Sequence, residues 1–387
     1  ATYVKAPAIL ADLLVGVVFW RATCRWTGSE RWGLAVAAAW LLGPIAWYDG
    51  ALWGQVDTMA ALLGGLALIW LIDRRPELAV AAATAAVLVK PQLAVFLGIV
   101  GVVLLRRHLR RPDGPWRADR DGPLRLGTSA LAGLVTLLVV ILPFDLGSRT
   151  TVLAGVPVLG DLASVPVVRE LLGLLCLIGG TAVQFPDLTV NAYNPWAFVG
   201  PEPLIGAGRI PGPWTPDDLP ILGIPAHLVG LAGYLLVTAG TVALLWRRPD
   251  RHGILVGAVI LLTAFFVVPT RVHERYLFGA VAIGLLLLPR GRGWWAWAVA
   301  GSAILIVNMH AILTLGEPWT GTPALRDLPF GDLARSPLVA TVVALATIPL
   351  LAWPIVDGIR LWRERPPAQP ARGGSLSPDS PPSTAIV

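Results

Sequence analysis

The sequence predicts an all-α, polytopic membrane protein with about eleven transmembrane or re-entrant helices. Three observations predict it. Hydrophobic residues make up 55% of the 387 residues, charged residues only 14%, and the mean hydropathy is +0.69; a soluble domain carries about 25% charged residues. The apolar residues gather in stretches long enough to cross a hydrocarbon core of about 30 Å. The arginines between those stretches divide unequally between the two sides. Together these exclude most soluble enzyme classes, disordered regulators and nucleic-acid-binding domains. The net charge of +6 is then a topology signal and not a sign of a nucleic-acid partner. The two cysteines, Cys24 and Cys176, are too few for a disulfide framework.

Stretches long enough to cross lie near 7–22, 33–48, 56–72, 126–143, 224–246, 253–269, 294–315 and 337–356, with a shorter one at 276–289. Residues 77–106 are apolar but interrupted by Lys90-Pro91-Gln92. One helix there would run roughly 45 Å, too long for the core. Pro91 disfavours a helix running on through Lys90. A hairpin with Lys90 at its tip places 21 of the arginines on one side, and a single crossing would erase that bias. The positive-inside rule therefore favours the hairpin and assigns the arginine-rich side to the cytoplasm.

This topology puts Ala1 outside and Val387 inside. An outside N-terminus with no signal sequence is unusual, so a further helix upstream of Ala1 is expected. Residues 1–365 read as one transmembrane domain. Within it, 144–223 forms a long outer segment, where 166–181 suits an interfacial or re-entrant helix. The Pro/Ser/Gly-rich tail, 366–387, reads as disordered and cytoplasmic.

The polar residues then collect on the outer side. Trp47-Tyr48-Asp49 and Trp53-Gly54-Gln55-Val56-Asp57 occupy a turn at 49–56. Lys90 and Gln92 sit at the hairpin tip. Asn191, Asn194 and Trp196 lie in the long outer segment. Arg271, His273, Glu274 and Arg275 fill the turn 270–275, and Glu317 and Trp319 follow a later outward helix.

Each group has a functional and a plain reading. Arg271, Arg275 and His273 suit a phosphate at headgroup level; the alternative is arginine reaching for headgroups from a solvated turn. Lys90 at membrane depth needs an anionic partner, or it snorkels from the hairpin tip. Asp49 and Asp57 suit contact with a sugar, a metal or a neighbouring base; Asp57 in the first turn of a helix also complements the macrodipole. Asn191, Asn194 and Trp196 offer amides and an aromatic face for a sugar, or ordinary turn chemistry with an interfacial Trp. Cys24, Cys176, Asn308 and His310 read as structural.

Four segments in this order, WGQVD (53–57), VKPQ (89–92), TVNAYNPW (189–196) and VHERYLF (272–278), resemble a family. The chain is similar to GT-C fold integral-membrane glycosyltransferases that use polyprenyl-phosphate sugars. The likeness is to bacterial mannosyltransferase-like members and to dolichyl-phosphate-glucose glucosyltransferases, and it spans about residues 1–290. The opening, YVKAPAILADLL (3–14), resembles the second transmembrane helix of such proteins.

The resemblance implies inverting transfer of a hexose, of the mannose or glucose class, to a glycolipid or cell-envelope acceptor. The transfer would take place on the outer face of the plasma membrane. It implies that Lys90, Gln92, Arg271, His273, Glu274 and Arg275 hold the lipid phosphate. Asp49, Trp53, Gln55, Asp57, Asn191, Asn194 and Trp196 would position the substrates. The family's base lies in an outer loop before the helix that 7–22 resembles, so it is expected upstream of Ala1 and is not named. Relatives differ in metal use, so a divalent metal stays open and no cofactor is assigned. The expected partners are a polyprenyl-phosphate sugar donor, a lipid or cell-envelope acceptor and the bilayer. Two other readings remain: a transporter or flippase of lipid-linked sugars, and a non-catalytic membrane subunit.

Overall fold

A computed structural model describes residues 2–109, 121–153, 156, 158, 162, 164–199, 215–315 and 326–364. Among these, the architecture is helical, with one small antiparallel hairpin pairing Pro220–Ile221 with Ile224–Pro225. The helices are α1 (Thr2–Thr27), α2 (Glu30–Leu41), α3 (Pro44–Trp47), α4 (Asp57–Ile72), α5 (Pro76–Val89), α6 (Ala94–Leu109) and α7 (Gly122–Ile141). There follow α8 (Pro166–Ala182), α9 (Ala226–Arg247), α10 (Arg251–Val267), α11 (Phe278–Leu285), α12 (Arg292–Leu313), α13 (Gly331–Ala334) and α14 (Pro337–Arg363).

Seven helical segments among the described residues are long and apolar enough to cross a membrane. Three shorter apolar helices, α4, α5 and α10, stand beside them. Every apolar stretch singled out from the sequence is a helix. The tail 366–387, Glu317 and Trp319 lie outside the described residues.

Residues 77–106 break as Pro91 requires. Lys90 leaves the helix with φ −145° and ψ 108°, and Pro91–Leu93 makes one 3₁₀ turn before α6 begins. Two contacts show that the chain reverses there. Lys90, at the end of α5, meets Asp57 at the start of α4. Arg107, at the end of α6, donates to the carbonyl of Leu71 at the end of α4. The two ends of the hairpin therefore lie a helix length apart.

One side of the sequence reading needs correction. The segment 49–56, expected as a turn, is mostly helical. After a break at Gly43-Pro44, α3 passes into a π-helical turn over Tyr48–Trp53. A π turn widens the helix by one residue and is found often at functional sites. It ends at Gly54, whose φ of +84° favours a residue without a Cβ.

The core follows from helix composition. α10 and α11 are apolar on every side, and nearly every residue in them is buried, so they form the centre. α10 packs on α9, α11 and α14; α4 packs on both α10 and α11, α2 on α11 and α6 on α10, while α1 and α5 pack on α4. α7, α9 and α14 turn large apolar side chains outward, among them Leu131, Val139, Leu236 and Leu338. On helices of this length, that outer surface suits lipid. α8 forms over the expected stretch and packs on the 3₁₀ segment Leu146–Leu153.

Among the described residues, Arg248, Arg251 and Arg290 lie at the end of the helices remote from Lys90. There they tie helix ends together. Arg248 donates to Leu361 O, Arg251 to Trp26 O, and Arg290 pairs with Asp357.

Candidate functional site

The site is assembled where α4 begins, α5 ends and α10 gives way to α11. Asp57 is the first residue of α4 and is 6% exposed. Its Oδ1 lies 2.5 Å from Lys90 Nζ, and its Oδ2 lies 3.7 Å from Arg275 Nε. Arg275 also donates to Glu274 Oε1 at 2.6 Å, and its guanidinium lies 5.7 Å from the centre of the Trp53 ring. Glu274 is almost wholly buried. WGQVD, VKPQ and VHERYLF thus meet through side chains, although they are far apart in the sequence.

The fourth segment joins through its backbone. Val190 N donates to Val272 O at 2.8 Å, and Arg271 N donates to Asp187 O at 3.0 Å. Asn191 and Arg271 both take left-handed backbone conformations, at φ 64° and 65°. Those two bends let 187–191 run beside 271–273.

Electrostatics separate the cations. Burial works against the charge on Arg275, but Glu274 and Asp57 outweigh it and hold its pKa above the usual value. Arg271 is held above its usual value by the hydrogen bonds to Asp217, at 2.6 and 3.1 Å. His273 behaves differently. Burial pushes its pKa down to about 4, helped by Arg275 and Lys90 and opposed by Glu274. Its imidazole packs against Phe185 and Tyr276. At neutral pH it is uncharged and offers a hydrogen bond. The expected cluster of two guanidiniums and an imidazole thus carries its charge on the guanidiniums, because burial disfavours a third charge.

The structure brings Asp49, Trp53, Asp57, Lys90, His273, Glu274 and Arg275 into one neighbourhood. Asp49 is fully buried on the π turn, and neither of its carboxylate oxygens has a hydrogen-bond partner among the described residues. Asp57, Lys90, Arg275 and Asp12 are the charged groups that act on it. Gln55 and Gln92 are half-buried beside Asp57 and Lys90 in sequence.

The other expected residues are committed to the fold. Arg271 and Thr270 both bond Asp217. Asn194 is fully buried; it donates to Phe266 O and accepts from Trp196 N. The Trp196 indole donates to Val268 O at 2.7 Å. These groups dock the outer segment onto the end of α10. The amide of Asn194 has no face left for a sugar, and the guanidinium of Arg271 points to Asp217, away from the Lys90 pair.

Three residues, Asp12, Lys5 and Asp217, were missed by sequence reasoning. Asp12 lies mid-way along α1, accepts from Thr58 Oγ1 at 2.9 Å and is 7% exposed. A carboxylate inside an apolar helix was the available signal. Lys5 Nζ donates to Ala51 O and Leu52 O, fastening the π turn. Asp217 had no signal beyond a short acidic pair in a proline-rich stretch. Tyr48 bonds His310 Nδ1, and His310 Nε2 faces Pro329 O. A carbonyl can only accept, so Nε2 carries the hydrogen, and in the neutral ring Tyr48 donates to Nδ1.

Among the described residues, no group of three or more His, Cys, Asp and Glu side chains is arranged to hold a metal ion. Compared with known proteins, the chain matches no protein-family model and no curated protein.

Proposed function

We propose that the chain is a membrane-embedded glycosyltransferase that takes a hexose from a polyprenyl-phosphate donor. The observation that carries this reading is the Asp57–Lys90–Arg275 group. It sets two cations at the end of the bundle remote from the arginine-rich end, beside an aromatic ring. A lipid-linked sugar phosphate has the matching chemistry: an apolar chain, an anionic linkage and a pyranose face.

In this reading the acceptor hydroxyl attacks the anomeric carbon from the face opposite the phosphate and gives up its proton to a general base, a role to which no residue is assigned. The bond between that carbon and the phosphate oxygen breaks, and the lipid phosphate leaves with the electron pair. Lys90 and Arg275 stabilise the charge that develops on it. His273 donates a neutral hydrogen bond. Asp57 and Glu274 fix the two cations in place. The acceptor is a glycolipid or cell-envelope hydroxyl, and the reacting face is extracytoplasmic.

The experiment is sugar transfer by the purified full chain from radiolabelled polyprenyl-phosphate mannose and glucose to a glycolipid acceptor. Transfer that disappears in Lys90→Ala and Arg275→Ala supports the reading. Transfer unchanged in both removes these residues from the site.

A second reading, translocation of a lipid-linked sugar, is favoured by Asp12 and Asp49. These are carboxylates inside helices, where ionisable groups mark transport paths. Movement of the donor across proteoliposomes with no new glycosidic bond would select it.

A further inference from the structure

A cavity lies at the end of the bundle opposite the Lys90 cluster. Lys5 and Thr23 are both on α1, so about 27 Å of helix separates the π-turn end from this one. The cavity measures about 530 Å³ and is lined by Thr23, Thr27, Ser29, Trp26, Arg251 and Arg290, among others. Small-molecule sites commonly occupy 300–1,000 Å³.

We propose that this cavity binds a phosphate ester. The charged groups of its lining point to that chemistry. Arg251 is a half-buried guanidinium that makes no ion pair with a carboxylate among the described residues. It donates to Trp26 O at 2.6 Å and lies over the Trp26 ring. It also faces His252 Nε2 at 3.3 Å, and a guanidinium can only donate, so that nitrogen is unprotonated. Arg290 stands on the same wall, with Asp357 balancing its charge. Asp250, the nearest acid in sequence, is engaged by Arg248 at 2.6 Å and by the backbone of His252 and Gly253.

Thr23 is the independent observation. It is 1% exposed, it lines the cavity, and its hydroxyl has no hydrogen-bond partner. A buried hydroxyl left unpaired costs free energy, so its presence on the wall fits an acceptor inside. A phosphate oxygen accepts from a hydroxyl and from a guanidinium alike, and the fork of Arg suits it geometrically. Ser29 adds a further hydroxyl to the lining, while that of Thr27 is committed to Thr23 O at 2.8 Å.

One chemistry here has two sources: the headgroup of a membrane lipid and a soluble phosphate ester. The test uses the full chain in phosphatidylcholine nanodiscs. In one arm, sn-glycerol 3-phosphate is added in solution, and equilibrium binding and melting temperature are read. In the other, phosphatidic acid is included in the disc. A rise in melting temperature in the first arm supports a soluble ligand; a rise in the second alone supports a lipid. Arg251→Gln then weakens the effect about tenfold, the value of one charge-assisted hydrogen bond. Thr23→Val weakens it as well, yet melts no lower than the parent without ligand, because the unpaired hydroxyl is gone. That variant keeps the test decisive if Arg251→Gln does not fold. No response to either probe, or equal responses in the parent and in both variants, overturns the proposal. Sugar transfer plays no part in these readouts, so they stand apart from the outcome at the Lys90 end.

Discussion

Lys90, held out of helix at the α5–α6 break, places its ammonium 2.5 Å from the carboxylate of Asp57 on the first turn of α4. Both side chains are almost wholly buried, at 12% and 6% exposed. Removing one partner from a buried pair leaves the other charge without compensation, at a cost of about 3–5 kcal/mol. Lys90→Ala and Asp57→Ala are each expected to lower the melting temperature of the detergent-solubilised protein sharply. The double variant should fall well short of the sum of the two. Additive losses would show that the pair is not coupled.

Arg271 and Asp217 make a second pair with a different consequence. Asp217 accepts from Arg271 Nε, Arg271 Nη2 and Thr270 Oγ1, and this ties the proline-rich segment to the 270–275 turn. Arg271→Ala is expected to cost about 1–3 kcal/mol, because the buried carboxylate loses its charged donors. The loss should be local. Limited proteolysis within 185–199 rises, while cleavage in α10 and α11 stays unchanged. Arg275→Ala should show the opposite pattern, with loss of transfer and little added cleavage in 185–199.

His273 gives the pH dependence. Its folded value is near 4 and its unfolded value near 6.5. Above pH 6.5 both states are neutral, and the contribution to stability is complete. Between 6.5 and 4 the unfolded chain takes up a proton that the folded chain refuses, so stability falls as pH falls. Below 4 both states are protonated and the loss levels off. The slope within that window is about 1.4 kcal/mol per pH unit at most. His273→Gln should flatten the melting-temperature profile between pH 6.5 and 4. A profile equally steep in the variant assigns the effect to other groups.

The fold was legible because apolar length and proline placement are local signals. The hairpin at Lys90 followed from Pro91 and from the arginine count, with no tertiary information. The site was legible in part. Asp57, Lys90 and Arg275 announce themselves as charges at the ends of apolar runs, and they do converge. Asn194 and Arg271 looked equally available, but their amide and guanidinium are consumed by Phe266 O and Asp217, contacts formed across long stretches of chain. The neutrality of His273 was hidden for the same reason, since burial is a tertiary property. Asp12 carries its signal inside a helix and not at the end of an apolar run, as a carboxylate that is costly to place there.

Gly50 tests whether the π turn and α1 are fitted to each other. A Cβ at Gly50 would stand 2.7 Å from Asp12 Oδ2 and 3.5 Å from the Cβ of Ala8. The carboxylate has little freedom to move aside, since its other oxygen is held by Thr58 at 2.9 Å. Gly50→Ala must therefore push α1 away from the turn or break the Thr58 bond. Overpacking of this kind costs about 1–3 kcal/mol. Asp12→Ala removes the obstructing oxygens, so the double variant should be less destabilised than the two single losses combined. The same displacement moves Asp49, the neighbouring residue on the turn, and Gly50→Ala should reduce transfer even at temperatures where the protein remains folded. A Gly50→Ala protein with parental melting and parental transfer would mean that α1 and the π turn adjust freely. The close approach of Asp12 would then have no bearing on the site.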